Sequence, residues 1–496
     1  MVLTIHRGFG CVLLSVALVL VASLALAQWA PPQPPQPYPH VPGSPTGQTP
    51  GPGPVLSPRP GAPQGPSAPP PEAPAQVRPP NPLTRIDSEK FIVRHNPAAW
   101  AKDSVRISPD GKRFAVVIQE AENKVRASID GQDGKVYAWV RDLTFSGDSR
   151  HVAYVATIEG QDLPVVDGRE GAFRGEIWGG TLRLNHDGTR LAFVARKGNA
   201  PAFGVVIDGA MDRPNLDPSD GPPVFSPNGK RLAYVAQEGV QRLVVLDGKP
   251  GTKYEAVYKG TLTFSPDSKR LAYLAGKGGK RIVVVDGSDG NPYTDVGATT
   301  LRFSPDGTKL AYAAQIDTGG WAVVVNERAG PVFDSIGPFT GLNWSPDSTR
   351  LAYAAQGKGQ WAAILGDGAF TYDDVAWIVF SPDSKRAAFC AMTGGKWIAV
   401  MNDSAAGRTY ESTLKSEAVL NETLAFSPDG KHLLYGAMAS GRPHMVVDGQ
   451  PAQSFYESIW NINGGRVVFD TPSSFSYIGQ KDGKIYLVRE ALLPTH

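Results

Sequence analysis

Disulfides cannot hold this chain together. Its 496 residues include two cysteines, Cys11 and Cys390, and the first sits in an apolar N-terminal stretch that reads as a removable leader. A chain with one remaining thiol must cohere by packing. Cys390, flanked by Ala and Phe in RAAFCAM, reads as a small apolar strand residue rather than a nucleophile. Charge of one sign is also missing: 49 basic against 47 acidic residues give a formal charge of +2. Without a basic patch or run there is no electrostatic footprint for nucleic acid, and no nucleic-acid partner is expected.

Long hydrophobic runs are absent beyond the first 27 residues. There His6 and Arg7 precede an apolar run from Cys11 to Leu26, and Ala25-Leu26-Ala27 offers small residues at a cleavage position before Gln28. The run is shorter than the roughly 20 residues a membrane span needs, so residues 1–27 read as a cleavable signal peptide rather than an anchor. The expected product is periplasmic or secreted, with no membrane span after cleavage. Catalytic signatures are equally scarce. No serine has glycine two residues away on both sides, as a nucleophile elbow requires. The eight histidines are scattered, with no zinc spacing. DGQDG (130–134) and DGSDGN (286–291) lack the order of a calcium loop and read as hairpin turns. Neither a metal nor a cofactor is expected.

What is present divides the chain in two. Between Gln28 and Thr84 lie 22 of the 44 prolines. That composition cannot bury enough apolar surface to fold, and residues 28–85 read as a disordered, partly polyproline-II spacer. Residues 86–496 carry a repeat. Taking the Ser of FSPDG as its marker, units fall at Ser108, Ser146, Asn185, Ser226, Ser265, Ser304, Ser345, Ser381 and Ser427, with a degenerate tenth at Asn461. Successive spacings are 38, 39, 41, 39, 39, 41, 36, 46 and 34 residues, the period of propeller blades.

Each unit reads as four strands. An alternating strand such as TLTF leads into a Ser-Pro-Asp-Gly turn, where Pro presets φ and Gly supplies a left-handed residue. KRLAYVA returns, an almost wholly apolar strand such as IVVV follows, and an Asp-Gly turn leads to a weaker fourth segment. In four units Ser replaces the turn glycine (Ser149, Ser268, Ser348, Ser384), which implies either strain or another turn type. The expected fold is all-β: a multi-bladed β-propeller of about ten four-stranded units, since radial repetition covers the sheet faces that an open stack would expose. KFIVR, ahead of the first unit, could supply a strand for ring closure, and SFSYIGQKDGKIYLVRE reads as the outer two strands of the last blade. One ten-unit ring is the first reading. Two smaller rings, with a seam at the 46-residue spacing after Ser381, are the alternative.

The FSPDGKRLAYVA unit resembles the WD40-like repeat of TolB-type β-propellers over residues 100 to 490. The resemblance implies a periplasmic, non-enzymatic scaffold that binds protein partners of the cell envelope. This chain departs from that family in its proline-rich spacer and its blade count, so specific partners do not transfer. A cell-wall glycan is the other partner class considered. A carbohydrate-binding or hydrolase/lyase-type propeller, with a site assembled from several blades, is the competing function.

Two sets of residues stand out from the turns. Six residues before the Phe-type end of the first strand come Trp139, Trp178 and Tyr258. Sixteen to eighteen residues after the Ser marker come Arg126, Phe203, Arg242, Arg281, Trp321, Trp361, Trp397 and His444. Both sets are expected on the face opposite the SPDG turns. Planar groups there can stack at blade borders, or they can form a binding face for peptide or glycan.

Overall fold

A computed structural model describes residues 84–492 apart from connections at 94–98, 102–103, 199, 201–202, 213–220, 318, 338–340, 404–407, 412–417, 440–441, 452–455 and 460–466. The expected leader (1–27) and all but the last two residues of the proline-rich segment (28–85) lie outside the described residues. The described residues form ten antiparallel sheets and no helix, so no helix among them is long and apolar enough to cross a membrane.

The sheets are numbered here as blades 1 to 10 in chain order. Blade 5 shows the pattern: Ala256–Val257 and Thr263–Phe264 form its interrupted first strand, followed by Leu271–Lys277, Lys280–Val285 and Ser288–Tyr293. The Ser-Pro-Asp turn and the Asp-Gly turn lie at one end of the blade, the turn face. The hairpin joining the second and third strands lies at the other, the hairpin face. Fourth strands of blades 4, 5 and 6 carry Pro250, Pro292 and Pro331, which removes donors from these free outer edges and blunts them against pairing.

The core consists of ten layers, each shared by two consecutive blades. Alternation along a strand dictates this arrangement. In Leu271–Lys277, Tyr273 and Ala275 pack toward blade 4, whereas Ala272 and Leu274 pack toward blade 6. The apolar third strand is covered on both sides for the same reason. The tenth layer joins Ile478 and Ile485 of blade 10 to Ile107, Phe114 and Ile118 of blade 1, with Ile92 from the entering chain. This layer closes the ring.

Thr84–Val93 supplies the outermost strand of blade 10, pairing antiparallel with Lys484–Leu492. The entering strand therefore closes the ring as the sequence suggested. Ser474–Lys481 and Lys484–Leu492, however, are the middle two strands of the last blade, not the outer two. Nor does the 46-residue spacing mark a seam between rings. Blades 8 and 9 on either side of it share a continuous layer through Ala388, Cys390, Tyr435 and Val446.

Candidate functional site

On the turn face, the repeated carboxylates are engaged within the fold. In blade 5 the Ser265 hydroxyl donates to Asp267 at 2.5 Å and accepts the Arg270 amide at 2.9 Å. Asp286 accepts the Leu271 amide through one oxygen and the Arg270 Nε through the other, at 2.9 and 3.0 Å. The same guanidinium lies 5.4 Å from the ring of Phe303 in blade 6. Arg113, Arg190 and Arg231 repeat this staple over Phe145, Phe225 and Phe264. Serine hydroxyls hold the Asp306 and Asp347 carboxyls down at about 2. In blades 2 and 9 a histidine takes the arginine's place, bonding Asp167 at 2.6 Å and Asp448 at 2.7 Å. The Asp448 bond raises the His432 pKa.

The four serines in glycine positions keep the left-handed turn, with φ between 61° and 67°. Each hydroxyl accepts an amide from the preceding blade: Asp110 N to Ser149, Asn228 N to Ser268, Asp306 N to Ser348 and Asp347 N to Ser384, at 2.9 to 3.0 Å. The turn type is unchanged, and an inter-blade bond offsets the conformational cost.

On the hairpin face, the strand register separates residues that counting along the sequence had grouped. Trp178 and Tyr258 donate their amides to Val194 and Leu274, each nine residues after its blade's marker. Trp139 instead pairs with Thr157, eleven residues after, the register of Glu176 and Ala256. Arg141 occupies the place of the two aromatics in blade 2. The first strands of blades 3 and 5 contain two more residues between this point and the marker than that of blade 2, a difference fixed distances cannot detect.

Arg242, Arg281, Trp321, Trp361 and Trp397 do share one register, opposite the residue eleven after the marker. His444 and Arg126 pair one step earlier, with Ala437 and Ile118. A single step turns a side chain to the other sheet face. His444 is only 1% exposed, so it cannot belong to an accessible binding face.

The shared register packs into the layer with the following blade. Trp321, Trp361 and Trp397 are half-buried in the 6–7, 7–8 and 8–9 layers, and Phe203 in the 3–4 layer. Size is complementary across the sites of blades 3, 5, 6, 7 and 8. Where the third strand brings a tryptophan, the first strand offers Gly297, Gly337 or Ala376. Where the first strand brings an aromatic, the third brings Phe203, 5.4 Å from Trp178, or Arg281, whose guanidinium lies 4.8 Å from the Tyr258 ring and pairs with Asp295 of blade 6. In blade 2 the pair is ionic, Arg141 with Asp162 at 2.6 Å. These residues are blade-border wedges. The exposed aromatics of the expected set are Trp139 at 53% and Trp178 at 42%, on the hairpin face of adjacent blades. Beside Trp178, Arg196 stacks over Phe203 at 5.0 Å and pairs with Glu176 at 2.5 Å.

No family model and no curated protein matches the chain. Among solved structures it is similar to one described as the eukaryotic initiation factor, at 16% identity over 74% of this chain and 90% of that one, with a TM-score of 0.42. It is similar to TolB from Acinetobacter baumannii at 14% identity, covering 62% and 78% of the two chains, with a TM-score of 0.26. The Dos1 propeller is similar at 11% identity, covering 81% and 95%, with a TM-score of 0.33.

Proposed function

We propose that this chain is an exported, non-enzymatic β-propeller serving as a protein-interaction scaffold in the cell envelope, with Trp139 and Trp178 as its main contact residues. The observation that carries this reading is the contrast among the tryptophans. Those of blades 6 to 8 are consumed by packing, whereas Trp139 and Trp178 leave much of their surface to solvent on one face. Interface hot spots favour tryptophan. The turn-face carboxylates support a non-enzymatic role because the staples and turns already occupy them. Export follows from the leader-like sequence of residues 1–27.

The test is recovery of partners from envelope extract by wild type and by a W139A/W178A variant, with fractionation and N-terminal sequencing to locate the mature chain. The reading expects a mature start near Gln28 and loss of the partner from the double variant. Equal recovery by a folded double variant rejects the contact face, and a cytoplasmic chain with its leader intact rejects the envelope assignment.

A further inference from the structure

A cleft of about 540 Å³ lies on the turn-face side of blade 6 toward blade 7. A second cleft of about 340 Å³ is its counterpart one blade earlier. The two have the same backbone frame but opposite charge. In blade 5 the charge-bearing positions are Arg270, Asp286, Ser288 and Asp289, which sum to −1. In blade 6 the equivalent residues are Lys309, Asn326, Arg328 and Ala329, which sum to +2, while Glu327, in the place of Gly287, lines the blade 5 cleft instead.

The staple carboxylate Asp286 and the neighbouring Asp289 therefore have no counterpart in blade 6, while the staple's cation remains and another is added. Lys309 is half-buried; its ammonium donates to the Ser348 carbonyl at 2.9 Å, lies 5.7 Å from the Trp344 ring and acts through space on the Asp306 carboxylate. Among the described residues neither Lys309 nor Arg328 has an ion-pair partner. The nearby acids are committed elsewhere: Glu327 accepts Tyr312 Oη and Asn291 N on the blade 5 side, and Asp306 is bonded to Ser304 and Thr308. The Asn326–Glu327 turn keeps left-handed φ values of 46° and 64° without a glycine, so the frame is retained although its residues have changed. Val323, Val325 and Ala329 give the cleft an apolar wall.

We propose that this cleft binds a small organic oxyanion, a carboxylate or phosphate whose head group meets Lys309 and Arg328 and whose apolar part covers the valines. The site stands apart from the tryptophans of the hairpin face and does not depend on their role. Calorimetry on the full chain with hexanoate, hexyl phosphate and inorganic phosphate tests it. One organic anion should bind more tightly than inorganic phosphate, and the tighter of the two identifies the head group. Binding should weaken with added salt and fall about tenfold or more in R328Q, as loss of a charge-assisted contact implies. The N326D/A329D variant restores the carboxylates that blade 5 accommodates, so it should fold and lose binding. The proposal is overturned if none of the three anions binds, if inorganic phosphate binds as tightly as hexyl phosphate and hexanoate, or if N326D/A329D binds like wild type.

Discussion

Replacing Ser268 by alanine and by glycine separates two contributions that the structure places on one residue. Ser268 is 3% exposed, adopts φ +64°, and accepts the Asn228 amide at 2.9 Å. Alanine removes the acceptor, which leaves a part-buried amide without that bond at a cost of about 1–3 kcal/mol. The left-handed conformation stays, and for a residue with a Cβ it costs about 1–2 kcal/mol. Glycine removes the same acceptor but relieves that conformational cost. S268A should therefore be about 1–3 kcal/mol less stable than wild type, with S268G about 1 kcal/mol more stable than S268A. Equilibrium urea unfolding followed by tryptophan fluorescence measures both, provided the slope of the transition is unchanged. If S268G proves no more stable than S268A, the inter-blade bond is not offsetting conformational strain.

Three further outcomes follow from the blade borders. W361A should cost about 2 kcal/mol, below the roughly 3–5 expected for a fully buried ring because Trp361 is half-buried, while partner recovery stays at the wild-type level; a loss of partner without loss of stability would return Trp361 to the binding face. The raised His432 pKa makes its pairing with Asp448 stabilising below the unfolded value of about 6.5 and lost as pH rises through the folded value. Unfolding midpoints of wild type and H432Q should accordingly differ more at about pH 5.5 than at about pH 8.5, and a difference that does not change with pH would contradict the pairing. Cys390 is 2% exposed and burial pushes its thiol up to about 12, so a thiol reagent should label it only as fast as the ring opens, whereas rapid labelling of native protein would place it at the surface.

Much of the fold was legible because the repeat is written in residues with fixed backbone demands. Pro and Asp set the first turn, Asp-Gly the second, and IVVV can only be a strand covered on both sides. The period then fixed the blades. The first reading, one ring, holds, and the alternative seam after Ser381 fails because spacing measures connection length, whereas ring continuity depends on a layer such as that of Cys390 and Tyr435, which sequence distance does not encode. The candidate site was less legible. Trp139 and Trp178 share a count from the marker but not a register, because first strands differ by two residues at their bulges. His444 fell with the tryptophans although one step of register buries it on the other side of its sheet. The cleft beside Lys309 was missed because its signal is a loss, Asp to Asn326 and Asp to Ala329, visible only once blades 5 and 6 are superposed position by position.

The central claim is a single ring of ten blades closed by Thr84–Val93, with its repeated side chains spent on the borders between blades. Single-particle imaging of the full chain in top view tests it most directly. Ten spokes around one opening is the predicted result; two smaller rings, or an arc with an open border between blade 10 and blade 1, would contradict it.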